Sequence, residues 1–192
     1  MPKRKCKSCQ NYVEEFIKLP AGVFCNIDHA ISFANDKQQK AREKARKVEV
    51  KEWKQETKRR KISAKSVSEW SAELQSLINK YVRLRDIKDG CISCDKPASW
   101  QGQWHCSHYF SRGHSSSLRF NLWNMHKSCS VCNSHLSGNI EQYTPRLIEK
   151  IGSERYQYLV AHKSDIARYN IPYLQRAIKV TKRAVKRLER RL

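Results

Sequence analysis

Two pairs of cysteines in the middle of the chain have the spacing of a metal site. Cys91-Ile-Ser-Cys94 and Cys129-Ser-Val-Cys132 each present two thiols two residues apart. Four such thiolates can hold one Zn²⁺ tetrahedrally, which closes the site and gives it a structural role. The residues enclosed between the two pairs are therefore free to build a second site beside the first.

A second set of metal ligands lies near the start of the chain. Cys6-Lys-Ser-Cys9 is followed by Cys25-Asn-Ile-Asp-His29, which gives three cysteines and one histidine. Few large apolar residues surround them, so metal binding would have to supply the folding free energy, on the order of 10–16 kcal/mol. We predict a second structural zinc site in an N-terminal finger over residues 1–33. The alternative is a disordered basic tail with incidental cysteines.

The charge of the chain points to a polyanionic partner. Lys and Arg number 39 against 18 Asp and Glu, a formal net charge of +21 spread over 192 residues. Such a field attracts nucleic acids. No apolar run is long enough to span a membrane, and the basic start of the chain lacks the apolar core of a signal peptide. We therefore expect a reducing cytoplasm, where paired cysteines bind metal rather than form disulfides.

Long helices are expected after the finger, because neither Gly nor Pro occurs between Val23 and Asp89. Residues 34–62 carry almost no large apolar side chain except Trp53, which indicates a basic arm along phosphates or a solvated spacer. Ser66-Val-Ser-Glu69 matches a capping box and starts a second helix with one apolar face. We assign 34–88 to the arm and to this helix, which would pack on its own chain or on a second copy. The apolar face comprises Trp70, Leu74, Leu77, Ile78 and Tyr81.

The segment between the two central cysteine pairs predicts strands and loops. Residues 98–100 and 104–110 are expected to form a hairpin, with 118–124 as a return strand. His105 and His108 would lie on opposite faces of a regular strand, so one site could use both only with a bulge. A short helix is predicted from the second pair to about Gly138. The predicted order is strand, strand, helix around the metal.

Residues 141–192 predict basic helices. Thr144-Pro145 is interpreted as an N-cap with a first-turn proline, Gly152 as a stop, Ser153 as the next cap, and Pro172 as the start of the last helix. One face of that last helix is apolar and the other is rich in lysine and arginine. We predict that two basic groups contact DNA, one on the arm and one on the last helix: Lys58, Arg59, Arg60, Lys61, Lys179, Lys182, Arg183, Lys186 and Arg187.

These residues carry a family resemblance. Residues 91–139 resemble the HNH or ββα-metal endonucleases that end in asparagine, and the arrangement C-x2-C, Ser-His, C-x2-C-Asn is similar to the endonuclease VII type of junction resolvase. The whole chain, with its N-terminal finger and the stretch 108–112, resembles the NinG or Rap recombination endonucleases of lambdoid phages. The implied fold is α+β and mostly α: a zinc-stabilised ββα-metal module over residues 89–140, a separate N-terminal zinc finger, and long basic flanking helices.

The resemblance also implies a function and residue roles. The function would be metal-dependent cleavage of branched DNA such as Holliday junctions and D-loops, by a homodimer that works with host or phage recombination proteins. His108 matches the general base, and Asn124 matches the amide that orients it, with Asn121 as a weaker candidate. Asn133 matches a ligand of catalytic Mg²⁺ or Mn²⁺, and Arg112 could hold the scissile phosphate.

One position departs from the family pattern and leaves the first metal ligand open. Ser107 precedes the base, where the family has Asp or His. Either His108 itself binds the metal, and then cannot act as a free base, or another side chain reaches in. The candidates for that side chain are His105, His114 and Asp95. We interpret His126 and His135 as supporting or surface histidines, and Cys106 as a small buried side chain.

Two classes of function follow from this pattern. The first is the nuclease, with a nuclease of ordinary duplex DNA as its variant, since no residue by itself encodes a preference for junctions. The second is a zinc protein that binds nucleic acid without catalysis. The grouping of His108, Asn124 and Asn133 beside a closed zinc site favours the nuclease, because a binding protein needs no base or open ligand there.

Overall fold

The computed structural model describes residues 3–192. It divides into two compact units, the first ending at Ala64 and the second spanning Lys65–Leu192. Within residues 3–192, helices predominate in both units and there are three small two-stranded sheets. The prediction of a mostly helical α+β protein is confirmed. Within the described residues, no helix combines the length and the apolar character that crossing a membrane requires.

The first unit consists of two short hairpins followed by one long helix. Strands β1 (Arg4–Lys5) and β2 (Tyr12–Val13) pair antiparallel, as do β3 (Ile17–Leu19) and β4 (Gly22–Phe24). Helix α1 spans Ile27–Ser63. Its start is fixed by Asn26, whose side chain accepts a hydrogen bond of 2.9 Å from the backbone N–H of His29.

Helix α1 begins inside the predicted finger. The boundary that the sequence placed between residues 33 and 34 lies within this continuous helix, because its N-cap comes seven residues earlier. Only Ala30 is buried along α1 among the described residues. The first unit therefore has a small core next to its cysteines, comprising Phe24 and Ala30 with Phe33 packed against them, and an exposed helical arm.

The second unit is centred on two packed helices, α2 (Val67–Arg85) and α5 (Ile171–Glu189). The capping box at Ser66 and Glu69 is present, with the backbone N–H of Ser66 donating to the Glu69 carboxylate at 2.7 Å. The predicted apolar face of α2 is confirmed as a packing face, and it is covered within this unit. Its core cluster comprises Trp70, Leu74, Ile78, Val82, Met125, Leu174 and Ile178.

The central hairpin has a different first partner from the one predicted. Residues 98–100 are turn and irregular structure, and strand β5 (Trp104–His108) pairs antiparallel with β6 (Met125–Cys129). Residues 118–124, predicted as the return strand, form turns and a 3-10 turn at Leu122–Asn124. A π-helical turn follows at Val131–His135. The order strand, strand, short helix is therefore present, with shifted elements.

Two further helices complete the second unit, and the first begins earlier than predicted. Helix α3 spans Ile140–Ile151 with Pro145 inside it, and Thr144 Oγ1 donates to the carbonyl of Ile140 instead of capping. Tertiary burial of its apolar face outweighs the helix-breaking tendency of the proline. Gly152 ends α3 with φ 85°, as predicted, and α4 spans Ser153–His162. The face that α3 buries comprises Tyr143, Leu147 and Ile151.

A buried carboxylate connects the end of α2 to β6 and α3. Asp86 is 2% exposed and accepts hydrogen bonds from Arg85 Nε at 2.7 Å and from the backbone N–H of Lys127 at 3.1 Å. Lys150 Nζ on α3 lies 3.2 Å from the same carboxylate. Burial disfavours its ionised form, but Arg85 and these partners lower the pKa of Asp86. This ion cluster fixes the strands against the helices.

Candidate functional site

The four central cysteines converge as the spacing predicted. One ligand atom of each lies within 4.8 Å of all the others, and the sulfurs of Cys94 and Cys129 are 3.8 Å apart. A tetrahedral site with Zn–S bonds of about 2.3 Å has sulfurs about 3.8 Å apart. The backbone N–H of Cys129 donates to the Cys91 sulfur at 3.2 Å, and that of Cys132 to the Cys129 sulfur at 3.4 Å. The set fits zinc with its outer hydrogen bonds in place.

The N-terminal set converges as well. Cys6, Cys9, Cys25 and His29 place one ligand atom each within 4.8 Å of one another. The Cys6 sulfur lies 3.6 Å from His29 Nδ1, and the sulfurs of Cys9 and Cys25 are 3.4 Å apart. His29 reaches the cluster from the first turn of α1. Two Cys/His clusters of the chain can therefore bind zinc.

We expect two zinc ions per chain in the purified protein. The reason is that each cluster supplies four ligands and leaves no open position. Elemental analysis by mass spectrometry, normalised to protein concentration, measures the ratio. A ratio near one would mean that only one of the two clusters binds zinc, and we would then reject the N-terminal Cys3His site.

A polar cleft of about 550 Å³ lies beside the central cysteine cluster. It runs along β5 and is bordered by α2, by the loop that follows β5, and by the turn after β6. Three of the residues predicted for catalysis line it together. The lining residues are Asn79, Arg83, His105, Cys106, His108, Ser111, Arg112, Asn133, Ser137 and Gly138.

His108 lies in this cleft with one ring nitrogen already engaged. Its Nε2 is 3.1 Å from the carbonyl oxygen of Arg119, and a carbonyl can only accept, so Nε2 carries the proton and Nδ1 is unprotonated. Burial lowers the pKa of His108 to about 4, and the cationic Arg112 and Arg119 contribute in the same direction. The ring is neutral at pH 7 and can accept a proton at Nδ1.

Asn124 fixes the loop that follows His108. Its Oδ1 accepts from the backbone N–H of Phe110 at 2.8 Å, and its Nδ2 donates to the carbonyls of Phe110 and Leu118 at 3.0 and 3.1 Å. The carbonyl of Asn124 also accepts from the N–H of Tyr109 at 2.9 Å. Asn124 is fully buried. It therefore holds the backbone that follows the histidine, at Tyr109, Phe110 and Leu118, rather than contacting the imidazole.

Asn133 meets His105 on the other face of β5. Its amide Nδ2 lies 3.1 Å from His105 Nδ1, and Ser107 Oγ donates to its Oδ1 at 2.6 Å. The β5–β6 ladder is regular over five residue pairs, so His105 and His108 point to opposite faces, as the alternation predicted. Both still line the cleft.

Several other candidates lie away from this cleft. Asp95 is exposed and pairs with Arg146, and His114 is exposed in the loop after β5. His126 is buried, with Nδ1 3.2 Å from the Tyr143 hydroxyl, and burial lowers its pKa to about 3. None of these three residues lines the cleft that contains Asn133. Of the remaining candidates, His135 is exposed. Asn121 caps the 3-10 turn by accepting a hydrogen bond from the N–H of Trp123.

Cys106 lines the cleft and also packs against the core cluster formed by α2 and α5. It is half-buried, and burial raises the pKa of its thiol to about 12. The thiol is therefore protonated at neutral pH. Cys106 contributes a small neutral side chain to the wall next to His105.

Two residues of α2 were missed by the sequence reasoning. Asn79 and Arg83 line the cleft, whereas α2 was interpreted as a packing helix only. They are four residues apart and so share a helix face next to the apolar stripe. These two polar residues beside a packing face were the sequence signal that could have indicated a role of α2 in the cleft. With Arg112 it brings two guanidinium groups to one cleft.

The predicted DNA-contacting residues are all exposed. Arg59 and Arg60 pair with Glu56 on α1, at 82% and 79% side-chain exposure, and Lys182 pairs with Glu73 of α2 at 2.7 Å. On α5, Leu174, Ile178 and Val185 are buried, whereas the basic residues predicted to contact DNA are exposed. Each unit therefore presents a basic helical surface to solvent.

Comparison with known proteins identifies relatives of this chain. The family model described as Bacteriophage Lambda NinG protein matches residues 1–191. Curated relatives called Protein ninG include those of Escherichia phage 933W, 35% identical over 79% of this chain and 77% of the relative, and Escherichia phage lambda, 41% identical over 68% and 67%. That of Salmonella phage P22 is 41% identical over 67% and 66%. No solved structure matches. The chain belongs to the NinG family of lambdoid phages.

Proposed function

We propose that the protein is a divalent-metal-dependent endonuclease that hydrolyses phosphodiester bonds in branched DNA. The observation that carries the proposal is the cleft beside the cysteine cluster. It combines a neutral histidine with a free Nδ1, a second histidine next to an asparagine amide, and two arginines. Strand, strand and short helix around four cysteines also match the order of a ββα-metal module.

In the proposed reaction His108 is the general base. Its Nδ1 takes a proton from water as the water oxygen forms a bond to phosphorus. The bond from phosphorus to the 3′ oxygen breaks, the departing oxygen takes a proton from solvent, and a 5′-phosphate remains. Asn124 acts as a positioning residue, since it holds the backbone of Tyr109 and Phe110, directly after His108.

The residues suited to a catalytic cation are His105 and Asn133. In an octahedral site with bonds of about 2.1 Å, neighbouring ligand atoms lie about 3.0 Å apart. His105 Nδ1 and the Asn133 amide are 3.1 Å apart, and turning the amide over places its oxygen beside the ring nitrogen. Mg²⁺ or Mn²⁺ bound there would stabilise charge on the departing oxygen. This assignment leaves His108, on the opposite face, free as the base.

The arginines and basic helices suit a nucleic-acid substrate. Arg83 and Arg112 can hold the scissile phosphate in the cleft, and the exposed lysines and arginines of α1 and α5 can contact neighbouring phosphates. Such contacts release counterions, so binding should weaken steeply with salt.

We expect the α5 surface to set part of this salt dependence. Changing Lys179, Lys186 and Arg187 to alanine should weaken binding to all DNA shapes and lower the log–log salt slope by up to about 0.9 per lost contact. Fluorescence anisotropy over a salt titration measures the slope. The matched control exchanges lysine and arginine at the same positions and keeps the charge. An unchanged slope in the alanine variant would mean that α5 only packs.

The proposed activity is tested with a labelled four-way junction and a linear duplex of the same sequence. Each is incubated with the protein with and without Mg²⁺ or Mn²⁺. Metal-dependent cleavage of the junction alone supports the proposal. Cleavage of both substrates would favour a nuclease of ordinary duplex DNA. Binding without cleavage of either would favour a non-catalytic zinc protein that binds nucleic acid.

The protein would act as a homodimer in the host cell. The apolar face of α2 is covered within its own unit, so a homodimer would have to form through another surface. A homodimer can cut two strands of a junction symmetrically, which is why we retain it. We place the activity in the host cytoplasm, in recombination that involves host or phage proteins.

A further inference from the structure

An aromatic pocket opens on the second unit, lined by residues that follow Ser117 and by the start of α5. Its volume is about 430 Å³, and aromatic rings, two amides and an arginine line it. The rings belong to Phe120, Tyr169 and Tyr173, and the polar groups to Asn121, Asn170 and Arg168. Nothing in the reaction described above uses these residues.

The aromatic rings form a continuous series. The Phe120 and Tyr169 centroids are 4.9 Å apart with an interplanar angle of 61°, and the Tyr169 and Tyr173 rings stack at 5.5 Å and 26°. The Tyr169 hydroxyl donates to the carbonyl of Ser116 at 2.9 Å, which fixes the middle ring. Tyr173 ends the series and is 49% exposed. A further flat ring can extend the stack onto Tyr173.

One residue of the pocket directly follows the residue that orients the proposed base. The carbonyl that accepts from His108 Nε2 belongs to Arg119, and Phe120 is the next residue. Consecutive Cα atoms are about 3.8 Å apart, so the pocket wall starts beside the group that orients His108. Arg119 also places its guanidinium 5.1 Å from the Phe120 ring centroid.

We propose that this pocket binds an unpaired nucleobase of the DNA strand that enters the cleft. The proposal rests on the proposed function for the nature of the substrate. Aromatic rings beside basic groups suit single-stranded DNA, because bases stack on the rings while arginines contact the phosphates. A base in continuous duplex is stacked and paired and cannot enter the pocket. Selectivity for branch points, where bases lose their partners, would follow from this pocket.

The test compares single-stranded and duplex binding in Tyr173→Ala. With labelled oligo(dT) and a blunt duplex, in buffer without divalent cation, affinity for the single strand should fall by between about 5-fold and 150-fold, as expected for one lost stacked base. Duplex affinity should change less than 2-fold, roughly the scatter of a surface substitution. Tyr173→Phe keeps the ring and should bind like the parent. Tyr158→Ala is the matched control, since Tyr158 is 44% exposed on α4 outside the pocket.

A second measurement does not depend on the stability of a variant. A single strand that carries 2-aminopurine should lose fluorescence on binding to the unaltered protein, because stacking on tyrosine quenches it. Unchanged fluorescence would contradict the proposal that the pocket binds a base. Equal losses of affinity in Tyr173→Ala and Tyr158→Ala would contradict it as well. These assays measure binding alone, so they distinguish a failure of the base-binding proposal from a failure of the nuclease proposal. If the protein cuts junctions but Tyr173→Ala leaves single-strand binding unaffected, only the base-binding role of the pocket would be rejected.

Discussion

Changing His108 to alanine is expected to slow junction cleavage by orders of magnitude while zinc content and junction affinity stay near those of the parent. The imidazole acts on the attacking water and contributes little to ground-state binding. General base catalysis is typically worth 10²- to 10⁴-fold, so the rate should fall by about that factor. Single-turnover cleavage of a labelled junction with saturating Mn²⁺ measures the effect, with anisotropy and elemental analysis on the same samples.

His114→Ala is the matched control for this prediction. His114 is an exposed histidine in the loop after β5 and does not line the cleft, so its loss should leave the rate unchanged. If the metal ligands are His105 and Asn133, their alanine variants should differ from His108→Ala by recovering activity at higher metal concentration. A His108→Ala protein that cut junctions at a near-parental rate would reject the assignment of the base.

Replacing Cys94 with serine is expected to unfold the second unit rather than to slow its chemistry. A structural zinc site contributes on the order of 10–16 kcal/mol, which is as large as the whole stability of a typical domain. The sulfur of Cys94 lies 3.8 Å from that of Cys129 in the cluster that joins the loop before β5 to the end of β6. We expect zinc content to fall from two ions to about one per chain and the main thermal transition to be lost.

Cys106→Ser provides the control for this experiment. Cys106 lies on β5 outside both four-ligand sets, and its thiol is already neutral at pH 7 because burial raises its pKa. The variant should keep two zinc ions and a cooperative transition. A Cys94→Ser protein with ordinary thermal stability would show that the central cluster is not a structural metal site.

The metal clusters and the start of α2 could be predicted because their signals are local. A C-x2-C pair places two sulfurs on one metal whatever the rest of the chain does, and a capping box such as Ser66 and Glu69 fixes a helix start within four residues. The apolar face of α2 could be predicted from its periodicity. In each case the interacting residues are close in sequence, or the pattern repeats within one element.

The partner of β5 could not be predicted in the same way. Strand β6 reads Met-His-Lys-Ser-Cys and is buried along its whole length, so it lacks the alternation of apolar and polar residues that marks a half-exposed strand. Its polar residues are tolerated because distant partners satisfy them. Lys127 Nζ donates to the carbonyl of Ile87 at 3.1 Å, and the Tyr143 hydroxyl contacts His126. Such compensation is visible only in the folded structure.

In the candidate site, too, some residues could be predicted from the sequence and others could not. His108, Asn124 and Asn133 follow from the motif, whereas Arg83 reaches the cleft only through the packing of α2 beside β5. The early start of α3 has a similar cause. Pro145 suggested a first-turn position, but burial of Tyr143 requires the preceding turn to be helical as well. Contacts between elements decided both outcomes, and one sequence does not contain their geometry.

The position of His29 in the first turn of α1 has a consequence for how the arm assembles. Starting a helix is unfavourable, since the first turn must be ordered before it gains hydrogen bonds, whereas each later residue adds at little cost. A metal held by His29 and the three cysteines, together with the cap at Asn26, would supply this first turn ready-made. Propagation could then proceed toward Ser63 with almost no tertiary contact. Metal loading of a small knuckle would thereby act as the nucleation step for a rod of 37 residues.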